Sequence, residues 1–450
     1  MRILKHTSLL LLAVLVSAPT LLCAQALSED ARRADLAQFR SEFFARDASY
    51  APNARAQAEA RLAQLERDIA TASTDATRFA LELAQIAALA DNGHTLSFAG
   101  PRLARSNRVA IRLVPLSDQF FVVRTRQVDA DLLGARLLAI DDLPMQRLRE
   151  LAHSLTGGLP AWRDRNTPLF LESPQQLHAL GASTASDGAR YRFESAGGAI
   201  IERRLLAEPP DAQRPRADTQ RLLLPEVGTG VSDWVGLLPL AQAPWSLRDA
   251  EKRFRWRHDA ELNALVVDLR LTTNTQTQKI ADFIGAVNIA LQELKPRNLV
   301  LDLRQNGGGD LTRARDFAQS LPAAVPGRLF VLTSPWTFSA AISTAAYLKQ
   351  AAPTRVSIVG EAVGDRPHFF AEGRPITLKH SGEVLLMATE RHDYVEGCRT
   401  FTDCHAPVRQ RPISVPSLAP DIAAPWTLHA YRAGIDPAML AVAQALRASK

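Results

Sequence analysis

Two stretches lying close together limit what this chain can fold into. The first, Leu299-Val-Leu-Asp-Leu-Arg-Gln-Asn-Gly-Gly-Gly-Asp310, is an apolar run that ends in three consecutive glycines. It reads as a buried strand over 299–303 feeding a loop built on Gly307, Gly308 and Gly309. Glycine reaches backbone dihedrals closed to other residues, so such a loop can turn its N–H groups toward one point. The second stretch, Leu332-Thr-Ser-Pro-Trp-Thr-Phe-Ser339-Ala-Ala-Ile342, leaves another apolar strand over 328–332 and crosses a proline turn. It delivers Ser339 to the mouth of a helix expected over 340–350. A hydroxyl in that place has unpaired backbone N–H groups beside it, as an acyl-transfer nucleophile requires. Taken singly, a triple glycine is commonly a turn and a serine before a helix commonly an N-cap. Together they supply the parts of an oxyanion hole.

In this order the segments resemble the tail-specific, or C-terminal processing, serine peptidases. That family has an Asp-Leu-Arg-x-Asn-x-Gly-Gly loop, a Thr-x-Ser-Ala segment with the nucleophile, and a Gly-Glu-x-x-Gly turn. The chain reads Asp302-Leu-Arg-Gln-Asn-Gly-Gly-Gly309, Thr337-Phe-Ser-Ala340 and Gly360-Glu-Ala-Val-Gly364. The resemblance implies a multidomain α/β (α+β) fold with a ClpP/crotonase-like core of stacked β-β-α units. It also implies hydrolysis of a peptide or protein substrate through an acyl-enzyme, with no cofactor and no metal.

One position departs from the pattern. The processing peptidases carry a lysine base directly after the glycine turn, and here that place is Asp365, 26 residues past the serine (365 − 339 = 26). A carboxylate cannot replace an amine of tuned pKa. The tricorn-like branch instead takes a histidine from the N-terminal part of the chain, and Leu89-Ala-Asp-Asn-Gly-His94-Thr95 is similar to its Asp-Gly-His-Thr segment. The resemblance thus implies a Ser–His enzyme, with Ser339 as nucleophile, His94 as base and the amides of Gly308 and Ala340 holding the oxyanion. For the carboxylate that orients His94, Glu361 is taken first. Glu396 comes second, because tricorn-like enzymes place a glutamate late in the domain, and Asp365 third. Arg304 could meet a substrate carboxylate, but pairing with Asp302 or Asp310 is its simpler role.

The N-terminus opens with Arg2 and Lys5, an apolar run from Leu9 to Val16 and an Ala24-Gln-Ala26 cleavage site. It reads as a secretory signal peptide over 1–26, too short to span a bilayer comfortably. A periplasmic or secreted protein follows, with no later transmembrane segment. Export leaves two cysteines, Cys398 and Cys404, which read as one disulfide. A thiol–imidazole metal site with His392 and His405 is the alternative, but their spacing matches no standard zinc pattern. The formal charge of +6 becomes +4 without Arg2 and Lys5 (6 − 2 = 4), with arginine scattered among acids. With no basic run, nucleic acid is excluded as the expected partner.

After removal of 26 residues from 450, the chain is too long for a single compact core. Residues 27–100 form a helical N-terminal domain, with helices over 29–45, 54–71 and 75–90 and N-caps at Ser28 and Thr74. Residues 105–155 are a β segment in which Gly134-Ala-Arg-Leu-Leu-Ala-Ile-Asp-Asp-Leu-Pro144 looks like part of a PDZ domain. Residues 160–260 read as a strand-rich connecting domain with a polar loop over 208–220, and 261–450 as the catalytic core. Two other readings use the same fold. A non-catalytic homologue would bind peptides or apolar ligands, and a crotonase-like enzyme would act on acyl-CoA, which export disfavours.

Overall fold

The structure, a computed structural model, describes residues 27–71, 75–210, 223–225, 233–399 and 401–448. The expected signal peptide, Thr74 and most of the polar loop over 208–220 lie outside the described residues.

Six strands form the sheet that carries Ser339. Ala264–Leu269, Asn298–Asp302, Leu329–Thr333, Val356–Gly360 and Ile422–Ala423 run parallel, and Phe254–Asp259 closes one edge antiparallel. The first three of these are buried at every position, as a parallel sheet covered on both faces requires. Leu265, Val267, Leu299, Leu301 and Val331 share one core with helices Ile280–Leu294, Thr312–Ala324 and Ala340–Ala351. The alternate residues Val266, Val300, Phe330 and Leu332 pack with Ala438 and Val442 of the closing helix Pro437–Arg447. Each of the first three helices joins consecutive parallel strands, since parallel neighbours need a crossover.

The middle of the chain is divided differently from the expectation. Strand Arg136–Ile140 pairs with Gly188–Glu194, which pairs in turn with Ile200–Glu208. Strands from 105–155 and 160–260 therefore join one sheet, with Ile111–Leu116, Gln119–Arg126 and Trp234–Gly236, and its residues divide between two hydrophobic clusters. The two expected stretches thus share strand pairings. Residues after 160 are helical over Pro160–Leu171 and Pro174–Ala179. Pro160 and Pro174 open their helices, where the missing N–H costs nothing, while Pro168 lies inside the first. Phe254–Asp259 belongs to the core sheet.

Three N-terminal helices match the sequence reading closely. Glu29–Gln38 is capped by the Ser28 hydroxyl, which accepts from the Ala31 N–H, and the chain continues in wider π-helical turns over Phe39–Phe44. Pro52–Thr71 follows, and Ala76–Ala88 is capped by Asp75 in place of Thr74. These helices do not close a core alone. They pack against Ile376, Leu378, Leu385 and Met387 from the far end of the chain. Strand Leu96–Ser97 seals the union by pairing with Val384–Leu386. Cys398 and Cys404 are joined as a disulfide, as expected. Among the described residues, no helix is long and apolar enough to cross a membrane.

Candidate active site

Ser339 sits at the start of helix Ala340–Ala351 with φ 54° and ψ −126°. A positive φ is uncommon for a residue with a β-carbon, and such strain concentrates where function holds it. The surrounding loop is tied to the glycine loop by three bonds. Thr337 Oγ1 donates to the Leu303 carbonyl (2.9 Å), Ser334 Oγ to the Arg304 carbonyl (2.6 Å) and the Phe338 N–H to the Asn306 carbonyl (3.0 Å). Gly308 is the point of contact: its φ is +106°, and a β-carbon there would fall 2.6 Å from Ser339 Cβ. Glycine is required at this position on both counts.

The oxyanion donors need one correction. The Ala340 N–H opens its helix and has no intrahelical acceptor. The Gly308 N–H, however, donates to Asn306 Oδ1 at 2.9 Å. Asn306 is itself fixed by donation from its Nδ2 to the Leu269 carbonyl at 2.8 Å, so the Gly308 amide is held by its own loop. The neighbouring Gly307 lines the cavity beside Ser339, and no acceptor among the described residues takes its N–H.

His94 reaches this place from the N-terminal helices. Asn92 anchors it by pairing with the Phe370 backbone, Nδ2 donating to the carbonyl (3.0 Å) and Oδ1 accepting the N–H (3.1 Å). Thr95 Oγ1 donates to the buried Asp47 carboxylate at 2.8 Å, which also takes the Ala388 N–H at 2.8 Å. The imidazole is buried between Phe338 and Phe369, with ring centroids 4.3 and 5.0 Å away. Phe338 directly precedes Ser339 and stacks on Trp162 on its other face. His94 and Ser339 line one cavity of about 510 Å³, with Phe98, Trp162 and Leu169 on its apolar wall. His94 Nδ1 lies 3.2 Å from Asp365 Oδ2, and Nε2 is buried without a hydrogen-bond partner. A β-carbon at Gly93 would come 2.7 Å from the same carboxylate oxygen, so glycine there admits the contact.

Of the three carboxylates considered, the structure brings Asp365 to the imidazole. Glu361, in the turn Gly360–Gly364, has other partners. Its carboxyl accepts the Trp426 N–H, and burial pushes its pKa up to about 7 against the opposing pull of that bond and of Arg304. Glu396 is exposed, its backbone N–H held by the Asp393 carboxylate at 2.9 Å. Arg304 pairs with Asp302 and Asp436, both at 2.7 Å, and is buried, so it is a structural cation. The sequence ranked Asp365 last because a carboxylate in the lysine position reads as a lost base. In the structure the same position places a carboxylate 3.2 Å from the His94 imidazole. Asn92, Asn306 and Phe338 lie within the quoted segments, but the sequence assigns them no role, and Asp47 and Phe369 carry no motif.

No family profile matches the sequence, and no curated protein matches it. Solved structures do. The structure of mature CPAF complexed with lactacystin aligns at 12% identity and TM-score 0.56, covering 93% of this chain and 98% of that one. Mature CPAF alone and a serine-to-alanine mutant of it align at 12% identity and TM-score 0.55, each covering 93% of this chain and 96% of that one. The photosystem II D1 C-terminal processing protease is a further structural neighbour, at 12% identity and TM-score 0.39 over 93% of this chain and 97% of that one. At this identity the likeness is one of fold: the chain shares the CPAF architecture over nearly its whole length.

Proposed function

We propose that the chain is an exported serine peptidase that cleaves peptide bonds through an acyl-enzyme. One observation carries the reading: His94 has Nδ1 on a buried carboxylate and Nε2 unpartnered, and it shares a cavity with Ser339. Asp365 accepts the Nδ1–H, which leaves the Nε2 lone pair as base and stabilises the imidazolium once it forms. Ser339 Oγ attacks the scissile carbonyl as Nε2 takes its proton. The Ala340 and Gly307 N–H groups receive the oxyanion, helped by the positive end of the Ala340–Ala351 helix. Nε2 then protonates the leaving amine, and water releases the acyl group from Ser339 by the reverse sequence. The core is read as ClpP/crotonase-like, with the CPAF likeness and the strand-to-helix placement of Ser339 in support.

A binding-only reading has one observation in its favour, since Nε2 makes no hydrogen bond to Ser339 Oγ. Catalytic hydrogen bonds commonly tighten only with substrate present, so the hydrolase reading accommodates that gap. Incubating the protein with a peptide library and sequencing the products separates the two. Cleavage by the wild type and none by Ser339→Ala supports the peptidase, and an intact library with either protein supports the binder. Lactacystin, the ligand in the neighbour's structure, is a second probe of the same serine.

A further inference from the structure

The stack of rings that backs His94 continues past the active site. Phe369 stacks on His392 (centroids 4.8 Å apart), and His392 stacks on His405 (5.2 Å). At that end Glu372, His392 and His405 converge, each offering one ligand atom within 4.8 Å of the others. Glu372 Oε1 lies 3.1 Å from His392 Nε2 and 3.9 Å from His405 Nε2. The opposite ring nitrogens have their own partners: His392 Nδ1 is 2.9 Å from the Tyr394 hydroxyl, and His405 Nδ1 is 2.7 Å from Glu390 Oε2.

We propose that Glu372, His392 and His405 form a binding site for a zinc-type divalent cation, with a fourth coordination position open to solvent. Two imidazole nitrogens and one carboxylate oxygen are a donor set that such an ion selects. Around a tetrahedral ion with bonds of about 2.0–2.1 Å, ligand atoms sit about 3.4 Å apart. The two measured separations to Glu372 fall on either side of that value, so small side-chain rotations admit an ion. The Glu390 carboxylate can only accept, so it holds the His405 Nδ1–H and leaves the Nε2 lone pair inward. The Tyr394 hydroxyl can accept the His392 Nδ1–H in the same way. A carboxylate behind a ligating histidine is a recurrent support of metal sites.

The three ligands come from separate elements. Glu372 follows strand His368–Ala371, His392 lies on the paired strand Glu390–Asp393, and His405 directly follows the disulfide cysteine Cys404. Glu372 holds φ +63°, a conformation that side chains disfavour. The side chains of Glu372, His405 and His392 are 35%, 20% and 2% exposed, a graded path from solvent to floor. The sequence had considered the two histidines with the cysteines as ligands. The disulfide removes the thiols and sets His405 in place, and Glu372 takes their part. An ion there would cross-link the hairpin whose Phe369 supports His94.

The test uses the tag-free chain with its disulfide intact, stripped with EDTA, desalted, and titrated with Zn²⁺ or Co²⁺. One zinc per chain should survive dialysis, Co²⁺ should give the strong visible absorption of a low-coordinate site, and zinc should raise Tm. Glu372→Gln and His405→Ala should each weaken binding by more than about 100-fold, and Glu390→Gln by about 10-fold to 100-fold. The exposed His429→Ala should leave binding unchanged. Circular dichroism of the metal-free variants confirms their fold. Failure of the wild type to retain zinc overturns the proposal, and so does retention unaffected by both Glu372→Gln and His405→Ala.

Discussion

Ser339 and His94 line one cavity but are held there by opposite kinds of structure. Everything that places Ser339 lies within a short span of chain: two buried strands, the glycine loop, the turn at Ser334–Thr337 and the helix behind it. Everything that places His94 crosses the molecule. Its contact with Asp365 spans 271 residues, that of Asn92 with Phe370 spans 278, and that of Asp47 with Ala388 spans 341. The nucleophile half is thus specified locally, by strand burial and backbone strain. The His94 half exists only when the N-terminal helices and the strands around Ile376 and Leu385 close one core.

The largest effect should come from breaking either half. Ser339→Ala and His94→Ala should each lower hydrolysis on the order of 10³-fold or more, with the double variant scarcely worse than either. Additive losses would show that the two residues do not act as a unit.

The assignment of the carboxylate sharpens the comparison. Asp365→Asn should reduce the rate by roughly 10²-fold or more, because an amide no longer favours the Nδ1–H tautomer or the imidazolium. Glu361→Gln should leave the rate within a few-fold of wild type. The opposite pattern would return the orienting role to Glu361, where the sequence had placed it.

Glu361 also gives a stability test with a definite sign. Its carboxyl is raised from 4.5 to about 7, so the fold favours the protonated form. The contribution is full below 4.5 and is lost as the pH rises through about 7. Relative to Glu361→Gln, wild-type stability in urea unfolding should therefore fall between these limits, by at most roughly 3 kcal/mol. A constant difference across the window would mean that the carboxyl is better hydrated than its burial indicates.

The smallest effect should come from the disulfide. Cys398 and Cys404 are 6 residues apart in sequence, and chain entropy alone gives such a closure roughly 2 kcal/mol. Replacing both with serine should lower stability by no more than that and leave Ser339 and His94 in place. A loss of activity comparable to that of His94→Ala would show that the loop reaches further into the site than it does here.

Much of the nucleophile half was legible because its signals are short-range. The apolar strands, the three glycines and the serine at a helix start each carry a physical requirement that a few residues display. The N-terminal helices were legible for the same reason, since their caps and periodicity are local. The sheet uniting Arg136–Ile140 with Gly188–Glu194 was not, because Pro160 and Pro174, which open helices there, read in sequence as strand punctuation. Asp365 was visible but ranked third, since its contact with His94 spans 271 residues and no local signal announces it. Gly308 was misjudged because the Asn306 side chain that captures its amide is fixed only by tertiary contacts.

The most direct measurement is fluorophosphonate labelling of the intact protein, with the modified peptide located by mass spectrometry. It reports nucleophile activation without requiring a known substrate. The wild type and Glu361→Gln should carry the label on Ser339, Asp365→Asn should acquire it slowly, and His94→Ala should acquire none above background. Labelling of Ser339 at the wild-type rate in His94→Ala, or its absence from the wild type, would contradict a site assembled from these two halves.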